Sequence, residues 1–240
     1  MPPLLIQHDG YPVDFGSYNL EYDHEEGLVA VGANFYPETL ISAYTSGLFP
    51  WFIQDKLPYW FCPDPRMVLF VDQLKISKSM RNVFNKNIFQ YSCDTEFEQV
   101  ISQCASIERK GQQATWIDAH FKSAYLELHR LGYAHTFEVW SDRQLVGGLY
   151  GVGIGKVFFG ESMFAKKDNA SKAAFIQGVK FLNANGFEII DCQVYSDHLS
   201  SLGAQNVDRK YFLAILKEHV LPSVLDGKNW KALFTKLITH

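Results

Sequence analysis

The sequence predicts an α+β fold: a small aromatic-rich N-terminal domain, then a larger domain with a mainly antiparallel sheet flanked by helices. Three observations carry this. At Ala134 the apolar pattern changes from helical spacing to alternation. Three strand-like runs follow, joined by the short connections Ser141–Arg143 and Gly153–Gly155, which suit an antiparallel meander. A long helical run and one more apolar strand come next, in the order of a crossover unit. The Pro-, Gly- and aromatic-rich stretch ends near residue 70, dividing the chain into 1–70 and 71–240.

Taken in order, the first unit holds one clear helix. Pro37 suits its first turn, Leu40, Ile41 and Tyr44 share a face, and Gly47 can end it. Pro50, Pro58, Pro63 and Pro65 then predict irregular backbone around LFPWF and PYWFCPDP. Met67–Val71 offers a strand. Residues 77–105 read as two helices, with Ser77 and Asp94 as caps and Phe97, Val100, Ile101 and Cys104 as the second one's apolar stripe. Glu108–Ala114 reads as a polar loop, and Asp118 as the cap of a helix carrying Phe121, Tyr125 and Leu128. The strands HTFEVW, QLVGGLYGV and KVFFGESMF follow. Asp168 and Asn169 then cap a long helix that Gly186 ends. FEIIDCQVY is a further strand, and Asp208 caps a final helix.

Composition narrows the function. A net charge of −4 argues against a protein coated in nucleic acid, so any such contact is a local patch. Lys75, Lys78, Arg81 and Lys86 form one basic group, and Lys166, Lys167 and Lys172 another. The four cysteines form no CxxC pair and His has no HxxxH partner, so no metal site is expected. The N-terminus is no signal peptide, and no run approaches a membrane span, so a cytoplasmic protein is expected.

The glycines of GGLYGVGIGK do not make a phosphate loop. Walker A needs glycine at Tyr150, and GxGxxG needs one at Lys156. Gly153 and Gly155 read as hairpin residues. GESMF resembles a nucleophile elbow around Ser162, but Phe164 replaces the trailing glycine. Glu161 sits among apolar residues, where a carboxylate needs hydrogen bonds or a cation. On residue type alone, a structural ion pair or a solvated turn explains it more readily than catalysis. Asp191 and Gln193, two apart on a strand, share a face opposite Ile190, Cys192 and Val194. That pair is either a proton-handling site or one wet face of an edge strand.

With these segments assembled, the chain resembles the leucyl/phenylalanyl-tRNA–protein transferases. The matching stretches include EGLVAVGANFYPETLISAY, GLFPWF, PYWFCPDPRMVL, TWI, LGYAHTFEVW, LVGGLYGV, FFGESMF, NASKAAF, IIDCQV and DHLSSLGA, in family order from Glu26 to about Tyr211. The resemblance implies a GNAT-type C-terminal domain and a reaction. Leu or Phe, sometimes Met, moves from aminoacyl-tRNA to the N-terminal Arg or Lys of a protein, marking it for degradation, with no metal or CoA. It implies Asp191, Gln193 and Glu161 as the catalytic groups. Leu149, Phe158, Met163, Phe175 and Ile190 would line the amino-acid pocket, and Trp51 and Trp116 would hold the terminal adenosine. The basic residues Lys75, Lys78, Arg81 and Lys86 are the expected tRNA contacts. Ser196 departs from an Asn often seen before the Asp-His pair, and the tail after Leu221 carries none of the matching stretches. An acyl-CoA-dependent N-acyltransferase and a non-catalytic tRNA-end-binding module are the rival readings.

Overall fold

The computed structural model describes residues 2–7, 10–22, 25–106, 119–221, 225 and 228–239. Trp116, the Asp118 cap and the Glu108–Ala114 loop lie outside them.

Two sheets organise these residues. The smaller has the order β1 (Leu4–Ile6), β2 (Leu28–Gly32), β4 (Leu57–Phe61), β3 (Phe49–Gln54). Helix α1 (Pro37–Thr45) begins on Pro37 and buries Leu40, Ala43 and Tyr44. Around Pro50 and Pro58 the chain is thus a β-hairpin rather than irregular backbone, whereas Pro63 and Pro65 lie outside the strands as expected. Both prolines sit where a ladder tolerates them. Pro50 lies on edge strand β3 beside a register shift, and Pro58 is the second residue of β4.

The larger sheet is mixed. Its strands are β5 (Arg66–Phe70), β6 (Gln90–Cys93), β7 (Ala134–Ser141), β8 (Gln144–Ile154), β9 (Val157–Ala165), β10 (Ile189–Gln193) and β11 (Gln205–Val207), in the order β11-β5-β10-β9-β8-β7-β6. β9 and β10 run parallel, and every other neighbouring pair is antiparallel. Helix α5 (Ala170–Ala184) makes the parallel crossover, as the strand–helix–strand order predicts. β5 falls before residue 70 yet sits inside this sheet. The 77–105 stretch is helix α2 (Lys78–Asn85), strand β6, then α3 (Phe97–Ser106). The four-residue β6 lies on an edge and shows little alternation, so its sequence signal is weak.

Alternation along the strands feeds two cores. Val68, Tyr150, Phe159 and Ile189 join α1, α3, α4 (Ala119–Arg130) and α7 (Arg209–His219) on one side. Leu69, Leu149, Phe158 and Ile190 join α5 and α8 (Trp230–Ile238) on the other. Each of these pairs is an i, i+1 neighbour on its strand, as period two requires.

Several caps differ from expectation. Ser77 accepts from the Met80 amide and Asp208 from those of Lys210 and Tyr211, as the sequence suggests. Asp94 instead bonds the His135 ring and the Thr136 amide. The free amides Thr95 and Glu96 before α3 are taken by Glu138, a buried carboxylate from β7. Asn169 enters α5 at φ 67° with no side-chain cap. Gly153 lies within β8, and the hairpin turn belongs to Gly155, at φ 60°.

Candidate active site

The site is built on two β-bulges at the ends of the parallel pair. Pairing of β9 with β10 covers Val157–Phe159 and Ile189–Asp191. Just beyond, each strand carries one extra residue against its antiparallel neighbour. In β9, Tyr150 faces Ser162 and Gly151 faces Gly160, so Glu161 is the extra residue. In β10, Asp191 faces Val68 and Gln193 faces Met67, so Cys192 is extra. Bulges re-aim side chains. Here Gln193 takes φ 64°, a conformation uncommon for a residue with a Cβ.

This bulge corrects the period-two reading of the strand. Asp191 and Gln193 do not share a face. Cys192, Gln193 and Val194 all line a cavity of about 370 Å³, and Asp191 does not. Asp191 is fully buried against Arg66 of β5. The guanidinium grips it in a fork, Nε to Oδ1 at 2.8 Å and Nη2 to Oδ2 at 2.6 Å. Oδ1 also accepts the Gln193 amide at 2.9 Å, which fixes the bulge. The Arg66 guanidinium lies 4.7 Å from the ring centroids of both Phe49 and Phe212.

Among the described residues, Glu161 has no such cation in contact. Its Oε1 accepts from the Tyr44 hydroxyl at 2.7 Å and from Gln193 Nε2 at 2.9 Å. Its Oε2 accepts from the Tyr125 hydroxyl at 3.2 Å. The two tyrosine hydroxyls also bond each other. Burial pushes Glu161 up to about 7. The bonds from Tyr44, Tyr125 and Gln193 pull it down, and the Asp191 charge adds to the rise. Burial likewise raises both tyrosines well above their ordinary range, so they stay neutral donors. Proton counting agrees with a carboxyl that holds a proton near neutrality. Three contacts join the two hydroxyls and the carboxyl, and two hydroxyl protons fill only two of them.

Because Glu161 takes the Gln193 NH₂ group, the amide carbonyl is the end left for another partner. The rest of the cavity is apolar. Leu149, Phe158, Met163, Phe175 and Ile190 all line it, together with Phe137 and Val179. Trp51 lines it from β3, alongside Phe49 and Pro50. Lys75, Lys78, Arg81 and Lys86 are exposed at and around α2, away from the cavity lining. His198 also lines the cavity. Burial, and then the Lys172 charge, lowers its pKa, and its buried Nε2 has no hydrogen-bond partner among the described residues. No group of three or more His, Cys, Asp or Glu is placed to share a metal ion among the described residues.

Sequence reasoning missed Arg66, Tyr44 and Tyr125 as parts of this site. A signal existed for each. Arg66 opens an apolar strand run, where a guanidinium needs a buried partner. Tyr44 and Tyr125 lie on buried helix faces, where each hydroxyl needs one too.

An apolar cavity with a polar end can serve an enzyme, and likeness to known proteins makes this one a transferase. The family model "Leucyl/phenylalanyl-tRNA protein transferase" matches residues 68–217, and the model of that family's N-terminal domain matches 33–64. The leucyl/phenylalanyl-tRNA–protein transferase of Flavobacterium johnsoniae is 52% identical over 193 residues, 80% of this chain and 91% of the relative. That of Hydrogenovibrio crunogenus is 50% identical over 210 residues, 88% and 82% of the two chains. Among solved structures, FemX is similar at 10% identity and a TM-score of 0.49, covering 75% of this chain and 71% of its own. The chain belongs to the leucyl/phenylalanyl-tRNA–protein transferase family.

Proposed function

We propose that the enzyme moves Leu or Phe, and also Met, from aminoacyl-tRNA to the N-terminal Arg or Lys of acceptor proteins, feeding N-terminal-residue-dependent degradation. The observation that carries this reading is the apolar cavity closed by the Glu161–Gln193 pair. Leu, Phe and Met are bulky, apolar and unbranched at Cβ. A cavity lined by Leu149, Phe158, Met163, Phe175 and Ile190 suits all three, because one methylene changes binding by only ~1–3 kcal/mol. We read the larger sheet as GNAT-type, with β9 and β10 parting beyond Phe159 and Asp191 to admit the donor. Trp51, and Trp116 outside the described residues, would stack on the terminal adenosine. The α2 lysines and Arg81 would meet tRNA phosphates. Charged tRNA places the reaction in the cytoplasm, and no helix among the described residues is long and apolar enough to cross a membrane.

In the reaction the acceptor α-amine attacks the ester carbonyl. A C–N bond forms, the ester C–O bond breaks, and the amine proton ends on the leaving ribose oxygen. The Gln193 carbonyl accepts from the amine and aims it. Glu161 holds that amide in orientation, and Asp191 with Arg66 holds the backbone that presents it. A neutral amide is a weak base, so positioning comes first and proton transfer second. The ester is already activated, and modest help suffices. The terminal ribose hydroxyl is an alternative proton carrier.

The test is transfer of radiolabelled Leu from charged tRNA to a protein beginning with Arg. Gln193→Ala lowers turnover about 100-fold, the scale of losing one oriented polar group, with the fold intact. No transfer by the wild type beside an active control enzyme overturns the function. An unchanged rate in the variant overturns the role of Gln193.

A further inference from the structure

The family match ends at residue 217, and helix α8 begins at Trp230. None of its residues lines the cavity, but the helix packs against rings that do. We propose that Trp230, with Phe234 one turn later, backs the cavity wall and thereby sets the size of side chain the enzyme accepts. The proposal rests on reading the cavity as the amino-acid pocket.

Trp230 is 4% exposed and Phe234 1%. Asn229 caps the helix by accepting the Ala232 amide at 3.0 Å, so Trp230 is held at its first turn. The indole stacks on the His135 ring at 3.5 Å between centroids and 4° between planes. His135 is itself tied at both nitrogens, to Asp94 and to the Gly132 carbonyl. Gly153 leaves room for the indole: a Cβ there would come within 3.2 Å of it.

From this anchored position the helix meets two rings of the cavity lining. Phe137 lies 6.3 Å from Trp230 and 5.6 Å from Phe234, and Phe158 lies 6.4 Å from Trp230. Both rings line the cavity and sit 5.9 Å from each other. Phe137 is pressed from the α5 side as well, because a Cβ on Gly178 would fall 2.9 Å from it. Phe158 crowds Gly151 in the same way, at 2.6 Å. Neither ring has slack against its own neighbours in the sheet or α5. The direction open to them on losing a partner is toward α8. A void left by a large ring is filled only in part by such relaxation, and what relaxes here is the cavity wall. Trp230 is thus a positioning residue for substrate choice that touches no substrate.

The experiment compares kcat/KM for Phe-tRNA and Leu-tRNA, with an Arg-initiated acceptor, in the full chain. Trp230→Ala raises the Phe-to-Leu ratio about 5- to 10-fold, within the range that pocket size controls. Trp230→Phe and Phe234→Leu shift it less, in the same direction, and serve alone if the alanine variant does not fold. Leu216→Ala, in the opposite core, lowers stability and leaves the ratio unchanged. Met163→Ala alters the cavity lining directly and changes the ratio. Ratios within twofold of wild type for all α8 variants, with Met163→Ala shifted, overturn the inference and spare the pocket. An unshifted Met163→Ala overturns the pocket as well. A shift in Leu216→Ala equal to that in the α8 variants also overturns the inference, since general loosening would explain both.

Discussion

Two carboxylates lie buried where the parallel pairing of β9 and β10 ends, and their partners differ in kind. Asp191 on β10 has a guanidinium in a two-point grip and one backbone amide. Glu161 on β9 has two phenols and a carboxamide, all neutral. Both are excluded from water to a similar degree, so burial alone does not separate them. The partner does. A cation in contact, gripped at two points, makes Asp191 part of the framework. Neutral donors leave Glu161 near 7, where its proton is easily gained or lost. The framework carboxylate is away from the cavity and the titrating one lines it.

The largest effect expected from this difference is on the framework side. Asp191→Ala strands a fully buried guanidinium, which costs about 3–5 kcal/mol. The variant loses that much in denaturant melts, and its lost activity says nothing about chemistry. Replacing both partners with apolar residues, Arg66→Met with Asp191→Leu, removes the stranded charge and recovers most of the stability. Activity that stays low in the refolded double variant then reports on the Gln193 bulge. A single variant as stable as wild type would show that the pair does not hold the strand ends together.

The same contrast explains what the sequence could convey. The meander, the crossover helix and the five apolar cavity residues follow from local periodicity and from family motifs. The bulges do not. One inserted residue turns Gln193 toward the cavity and Asp191 away from it, and strict period two hides that. Long-range partners were equally hidden. Arg66 stands 125 positions before Asp191, and Tyr44 117 before Glu161, so nothing local announces either bond. The hairpin at Pro50 and Pro58 was masked because proline is a reliable breaker only in central ladder positions. Asp94 looked like a helix cap, but His135 and the Thr136 amide claimed it and Glu138 took its place.

On the titrating side the expected effect is smaller and depends on pH. Glu161 holds its proton more tightly folded than unfolded. Between about 4.5 and about 7 the unfolded chain has released this proton and the folded chain has kept it. Stability therefore falls as pH rises through that window and is level above it, by roughly 1–3 kcal/mol in all. Glu161→Gln presents a donor group beside an acceptor oxygen, as the protonated carboxyl does, and cannot titrate. The variant gains on the wild type in thermal melts from pH 5 to 7.5, after which the gap stays constant. A gap that does not change with pH would place the Glu161 titration elsewhere.

The smallest effect sharpens how helix α1 and the larger sheet share the site. Tyr44 comes from α1, which follows a strand of the smaller sheet, yet its hydroxyl is a principal bond holding Glu161 down. Tyr44→Phe keeps the ring against Phe159, 4.8 Å away, and removes only the hydroxyl. One hydrogen bond is worth about 0.5–1.5 kcal/mol, so the fold survives. Losing a donor to the charged form moves the Glu161 titration to higher pH. The stability window therefore stretches upward, and melts compared with Glu161→Gln in the same background show the gap still growing above pH 7.5. Tyr125→Phe moves it the same way but less, because its bond is longer. If Tyr44→Phe left the window in place, helix α1 would serve Glu161 only as a cover that excludes water, and the tyrosine hydroxyl would have no part in setting when the carboxyl gives up its proton.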